Sequence, residues 1–401
     1  MCSSDLAAQL ANQARELYVS AGDRRGAARC VVTLGDLLYD QGDYAGAKKQ
    51  FDSALADFRE IGARKSARAA LERIGNVFYS QGQLREAQQY YEQVLRFDQE
   101  INDRFGLASD YGNLANTLDG LGELTQAMTM QKKALLTFND VGNKRGASDT
   151  LNNTGNVLLE IGELDEAKKD FEQAADMMSE ISYRHGEPLP VSGIGDTLFA
   201  QGDLAGARKQ YEEALAIAKE VNDADVTAQD TASLASIDLA EKKYADGEAL
   251  ARQSAESYEK SSSWGNAAWA EATLARNLVG EGKLTDAENA AAKAIALSGK
   301  STGQTPRYEA AFADASVKTT TGKSAEARRE LEATLTSAHK LGYRLYEYQA
   351  RLALAEIELH AGSPSAISHL SALEKEARGH GASLIANQAQ ELLTERKASA
   401  R

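Results

Sequence analysis

Residues 22–62 read GDRRGAARCVVTLGDLLYDQGDYAGAKKQFDSALADFREIG, and this stretch decides the fold because its pattern returns down the whole chain at a fixed step. Val31, Leu34, Leu37 and Leu38 fall at the three-and-four spacing of an amphipathic helix. Gly42 ends that helix, since glycine enters the left-handed C′ conformation without a Cβ penalty, and Asp43 is placed to cap the next one. A second apolar stripe runs through Tyr44, Ala47, Phe51, Ala54, Leu55, Phe58 and Ile61 as far as Gly62. Helix, tight turn and helix make one unit.

Outward from this unit the step is 40 residues. Gly42 returns as Gly82, Gly122, Gly162 and Gly202, lapses at Lys242, and resumes as Gly282, Gly322 and Gly362. Seven residues earlier a small residue keeps the same phase: Gly35, Gly75, Ala115, Gly155, Gly195, Ala235, Ala275, Ala315 and Ala355. Nine copies held to one step mean stacked hairpins that share a continuous core. Gly35 and Ala47 fall where the two helices of a hairpin cross, which lets their axes approach to roughly 8 Å. Phe51, Tyr91, Phe171 and Tyr211 supply bulk toward the neighbouring unit.

As a set, the small residues at Gly35 and Ala47, the aromatic at Phe51, Ala54 and the Gly42 turn resemble the tetratricopeptide repeat. The usual unit of that family has about 34 residues, so these helices are longer. The junctions Gly22-Asp23-Arg24-Arg25-Gly26, Asn102-Asp103-Arg104-Phe105-Gly106 and Gly142-Asn143-Lys144-Arg145-Gly146 resemble the long repeats of kinesin light chains, spindle-orientation adaptors and bacterial multidomain regulators. The resemblance implies an all-α, right-handed α-solenoid superhelix of helix-turn-helix repeats, with the first helix of each unit lining a concave groove that binds a peptide or partner segment. Nine units at about 10 Å each suggest an axis of about 90 Å.

Residues 1–21 read as a truncated repeat that keeps only its second helix, and residues 1–6 match neither the pattern nor a natural start; an upstream part is expected. Residues 22–221 hold five well-formed repeats and the expected groove. Residues 222–381 hold four degenerate ones, expected to be mainly structural, in which Gly247 and Ile367 replace the alanine and Ala251 and Ala291 the aromatic. In the eighth copy Asp314 and Lys318 stand where apolar residues belong, so its first helix is expected to be shifted or poorly packed. Pro188 and Pro190 delay the fifth first-helix, because proline is tolerated only in the first turn. Residues 382–401 read as a capping helix and tail with a polar outer face.

Composition excludes several function classes. The formal net charge is −14 over 401 residues. Phosphate neutralisation needs a basic face, so no nucleic-acid role is expected, and acidity favours basic partners. No apolar run approaches the roughly 20 residues of a membrane span. Cys2 and Cys30 form no disulfide framework, which suits a reducing, cytoplasmic setting. His185, His339, His360, His369 and His380 are scattered without ligand spacing, and no phosphate loop, nucleophile elbow or Cys/His arrangement occurs. No catalytic residue, cofactor or metal is expected.

Projected onto the groove, Asn76, Asn116 and Asn156 share one phase, flanked by Asp36 and Asp196. Arg73, Asn113 and Asn153, with Asn152 beside the last, lie three residues back on the same face, and Tyr39, Tyr79 and Phe199 three residues on. Six asparagines in helix interiors cost on the order of 3–4 kcal/mol in propensity, so something offsets them. Two readings stay open: a clamp on the main chain of an extended ligand, or a ladder of hydrogen bonds between units. Arg24, Arg64, Arg104 and Arg184 form a secondary rim, either paired with acidic neighbours or free for a ligand carboxylate. At the level of the whole protein the resemblance favours an interaction scaffold. The alternatives are the sensory or regulatory part of a bacterial transcription regulator or protein kinase, and a peptide-pheromone receptor.

Overall fold

A computed structural model describes residues 3–399, and the described residues form 20 α-helices. A lone helix, α1 (Ser3–Ser20), precedes the hairpins α2 (Arg24–Asp40) with α3 (Tyr44–Glu60), α4 (Arg64–Ser80) with α5 (Leu84–Ile101), and α6 (Arg104–Gly120) with α7 (Leu124–Asp140). Next come α8 (Lys144–Glu160) with α9 (Leu164–Glu180), α10 (Pro188–Ala200) with α11 (Leu204–Glu220), and α12 (Ala224–Ala240) with α13 (Tyr244–Lys260). The last are α14 (Trp264–Gly280) with α15 (Leu284–Ser298), α16 (Thr305–Thr320) with α17 (Ser324–Leu341), α18 (Arg344–His360) with α19 (Ser365–Gly379), and the closing α20 (Ser383–Ser399). Of the six-residue start read as foreign, Met1 and Cys2 lie outside the described residues, as do Ala400 and Arg401 of the tail.

Local chemistry sets the helix ends. Asp23, Asp43, Asp103, Asn143, Asp203 and Asp223 each accept a bond from the backbone N–H three residues on, satisfying an amide that the first turn leaves bare. Gly42 sits at φ +79°, and where the sequence lapses Lys242 takes the same left-handed conformation at φ +62°. An L side chain pays for that region in steric strain.

Inside a hairpin one pairing repeats. A Cβ on Gly35 would lie 2.5 Å from the Phe51 ring, on Gly75 2.8 Å from Tyr91, on Gly155 2.7 Å from Phe171, and on Gly195 2.6 Å from Tyr211. Wherever the small residue is alanine the ring is missing: Ala115 is matched by Gln131, Ala235 by Ala251, Ala275 by Ala291 and Ala315 by Leu331. The crossing point has a fixed volume, shared between the two helices.

Stacking produces a right-handed superhelix that closes on itself. Leu124, Val157, Tyr308, Phe312 and Tyr343 fall in one buried cluster, and Leu164, Tyr348, Leu373, Ala382 and Ala386 in another. Arg344 pairs with Glu163 at 2.9 Å, and Lys242 with Glu391 at 2.5 Å. Successive turns of the coil therefore touch, and the expected 90 Å axis is corrected: the 40-residue step is taken around the axis more than along it.

The eighth first-helix is shifted, as expected, yet its apolar side is buried. Phe312, Ala313 and Val317 of α16 are buried, while Asp314 and Lys318 bond each other at 2.7 Å and Lys318 also reaches Glu330 on α17. The misplaced polar pair satisfies itself within the hairpin, while α16 as a whole is shifted: it lies against α14 far more closely than any other first helix lies against the one before it.

Candidate ligand groove

The first helices α2, α4, α6, α8 and α10 carry the groove positions. Their 3.6-residue period brings residues 36, 76, 116, 156 and 196 to the same side of each hairpin. Between α2, α4 and α6 lies a hollow of about 190 Å³, lined by Tyr39, Asn76, Tyr79, Tyr91, Asn113 and Asn116. Five of these were picked out from sequence; Tyr91 was read as filler because its phase is that of the core aromatics.

Hydrogen bonds divide the asparagines. Asn76 Oδ1 accepts from the Tyr91 hydroxyl at 2.8 Å, and Asn116 Oδ1 from Gln131 Nε2 and Asn153 Nδ2, each at 3.2 Å. Arg73 Nε donates to Asp36 Oδ1 at 2.7 Å in the register of the Asn153–Asn116 bond. The side-chain carbonyls of Asn76 and Asn116 are thus tied into the scaffold, within the unit and, for Asn116, to the following one. The Nδ2 groups of Asn76, Asn113, Asn116 and Asn156 meet no acceptor among the described residues. Asn152 lies outside this arrangement: it is buried and donates only to Asn153 Oδ1, at 3.5 Å.

Asp196 and Phe199 stand further along the coil. Burial pushes the Asp196 carboxyl up to about 6, against the opposing bond from the Tyr211 hydroxyl at 2.7 Å. Phe199 packs against the cluster of Ala207, Tyr211, Leu234 and Ile237. Acidic groups that sequence periodicity did not single out border the same interior. Asp119 and Glu160, at the ends of α6 and α8, sit 41 residues apart as Tyr39 and Ser80 do, whose hydroxyls bond at 2.6 Å. Burial raises Asp119 to about 6 although Glu160 hydrogen-bonds it, and burial with the charge of Asp119 raises Glu160 well above its ordinary value. From α16, Glu309 is raised by burial in turn.

The rim arginines are paired. Arg24 meets Glu60 at 2.7 Å, Arg64 meets Glu100 at 2.9 Å, Arg104 meets Asp140, and Arg184 meets Glu220 at 2.7 Å as well as Glu187. The bridges of Arg24, Arg64 and Arg104 tie the start of a first helix to the end of the second helix of its own unit, and that of Arg184 to Glu220 ties the turn before α10 to the end of α11. All four are exposed, so each contributes little to stability.

No group of three potential metal ligands occurs among the described residues, and no described helix is long and apolar enough to cross a membrane. No curated protein matches the sequence. Among solved structures, a Rap protein complexed with Competence and Sporulation Factor is 12% identical with a TM-score of 0.58, covering 93% of this chain and 98% of that one. The apo form of RapI is 13% identical, TM-score 0.58, covering 68% and 98%. A Signal Transduction ATPase with Numerous Domains from Pyrococcus horikoshii, with a tetratricopeptide repeat sensor, is 15% identical, TM-score 0.51, covering 86% and 53%. At these identities the likeness is one of fold. The tetratricopeptide repeat model itself matches at residues 27–100, 66–140, 108–180 and 146–220. Stacked hairpins of this kind create extended concave surfaces for protein interaction, and over residues 27–220 the chain carries tetratricopeptide repeats.

Proposed function

We propose that the chain binds a peptide or partner segment in its concave groove, centred on the hollow between α2, α4 and α6. The observation that carries this reading is the set of amide donors on Asn76, Asn113 and Asn116, left without protein acceptors beside Tyr39 and Tyr79. A peptide main chain offers carbonyl acceptors at a regular spacing, and tyrosine rings give its side chains amphipathic surface. Asp119, Glu160, Asp196 and Glu309 on the same interior favour a ligand with basic side chains.

A displayed peptide library selected on the full chain tests the reading. Selected peptides are expected to be rich in lysine or arginine, and their affinity to fall about tenfold or more for Asn113→Ala with Asn156→Ala, from loss of main-chain bonds. Unchanged affinity in that variant overturns it. A second reading, the sensor part of a larger regulator, draws support from the tetratricopeptide repeat sensor of the Pyrococcus horikoshii protein, which shares the fold.

A further inference from the structure

Away from the groove, and from the seam where turns of the coil touch, the second helices α13 and α15 stand apart over a floor of α14. They leave a cleft of about 440 Å³, larger than the hollow between α2, α4 and α6. Small-molecule sites usually measure roughly 300–1,000 Å³.

The repeat explains why the cleft opens here. Ala255 stands in the phase of Leu55, Leu95, Leu135 and Leu215, and Ala290 in that of Tyr90, Met130 and Leu250. Both walls thus lack bulk that other units place between neighbours. The floor is apolar at Leu274 and Leu278, which are buried. Beside them Glu271 occupies the phase of Val31, Leu71, Leu151 and Val191, and it is buried too. A carboxylate costs free energy at such a position: burial raises Glu271 above its ordinary value, and Lys293, 2.8 Å away, opposes the shift.

Ion pairs bridge the two walls at both ends. Glu248 of α13 meets Lys283, the N-cap of α15, at 2.6 Å, and Glu259 of α13 meets Lys293 of α15 at 2.6 Å. From Glu248 to Glu259 the helix rises about 16 Å. A cleft of that length with bridged ends suits a discrete molecule. Charge narrows the class. Both cations of the lining are engaged, Lys293 with Glu259 and Glu271, and Arg252 with Glu248 at 2.8 Å. Glu256 on one wall and Asp286 on the other make no ion pair or hydrogen bond among the described residues.

We propose that this cleft binds a small organic cation, whose apolar body lies on Leu274 and Leu278 and whose ammonium group is held by Glu256 and Asp286. An anion with the same body would meet both carboxylates with no unengaged cation to offset them.

Tryptamine, tryptophol and indole-3-acetate share an indole body and differ in charge; each is titrated calorimetrically into the full chain at neutral pH. Tryptamine is expected to bind at least about tenfold more tightly than indole-3-acetate, with tryptophol between them. Glu256→Gln with Asp286→Asn should remove the advantage of tryptamine over tryptophol. Ala255→Leu, which restores the residue of the other units, should abolish tryptamine binding while the chain melts no lower than wild type. Asn289→Trp, at an exposed position of the lining, should block the cleft without touching the floor. Absence of tryptamine binding, or equal binding of tryptamine and indole-3-acetate, overturns the proposal. So does tryptamine binding that survives Asn289→Trp and falls for Asn113→Ala, since that places the cation in the groove.

Discussion

At the scale of the residue, one amide serves two ends. Asn116 offers its carbonyl to Gln131 and Asn153 and its NH2 to the groove. Because Gln131 is buried, with its own Oε1 already unpartnered, Asn116→Ala strands a donor; thermal melts should show a loss of about 1–3 kcal/mol. Asn156 is exposed and its side chain makes no hydrogen bond among the described residues, so Asn156→Ala should leave the melt within about 0.5 kcal/mol of wild type while weakening captured peptide. Asp230 makes a different prediction. Its Oδ1 accepts from Ser192 Oγ at 2.7 Å, its Oδ2 has no partner, and burial raises the carboxyl to about 8 against that bond. An aspartate in the unfolded chain ionises near 3.9, so the folded state binds this proton more tightly. The stability it contributes is complete below about pH 4 and is lost as pH rises through the folded value. Melts from pH 5 to 9 should slope downward, and Asp230→Asn should flatten the slope.

At the scale of the element, the small residue and the ring form one steric unit. Gly155→Ala should lower stability by about 1–3 kcal/mol through overpacking against Phe171, despite a helix-propensity gain of about 1 kcal/mol. Combining it with Phe171→Leu should cost less than the two single losses added, which a double-mutant cycle reads directly. Two helix ends meet in another such unit. Asp119 and Glu160 share a buried site faced by Tyr79 of α4, Tyr308 of α16, Tyr343 at the N-cap of α18 and Tyr346 within it. No lysine or arginine is among the groups that shift the pair. The seam arginines are otherwise engaged, Arg85 with Glu123 and Arg344 with Glu163. With one proton between them the two carboxyls hold together; losing it places two like charges against the tyrosines of the seam. Small-angle scattering should show the wild type expanding as pH rises through the raised range of the pair and Glu160→Gln staying compact.

At the scale of the whole molecule, contacts across the seam change how the chain unfolds. A linear solenoid melts by nearest-neighbour terms and frays from its ends. Here Leu124 and Leu164 pack beneath the last units, so the wild type should melt in one transition. Leu124→Ala with Leu164→Ala removes about 2–5 kcal/mol per site and should split it into two, visible by calorimetry. Helices, turns, caps and the marker phase were legible in the amino-acid sequence, because each follows from periodicity and backbone chemistry within about 40 residues. Most of the groove stripe was legible for the same reason. Even the glycine–aromatic pairing stands in the sequence, as the exchange of Gly and ring for Ala and a smaller partner. The satisfied Asp314–Lys318 pair, the burial of Asn152, the carboxyl pair at the seam and the closing of the coil were decided by tertiary structure alone. They depend on the angle at which successive units pack, a small rotation that accumulates along the stack and brings residues about 150–220 positions apart into contact.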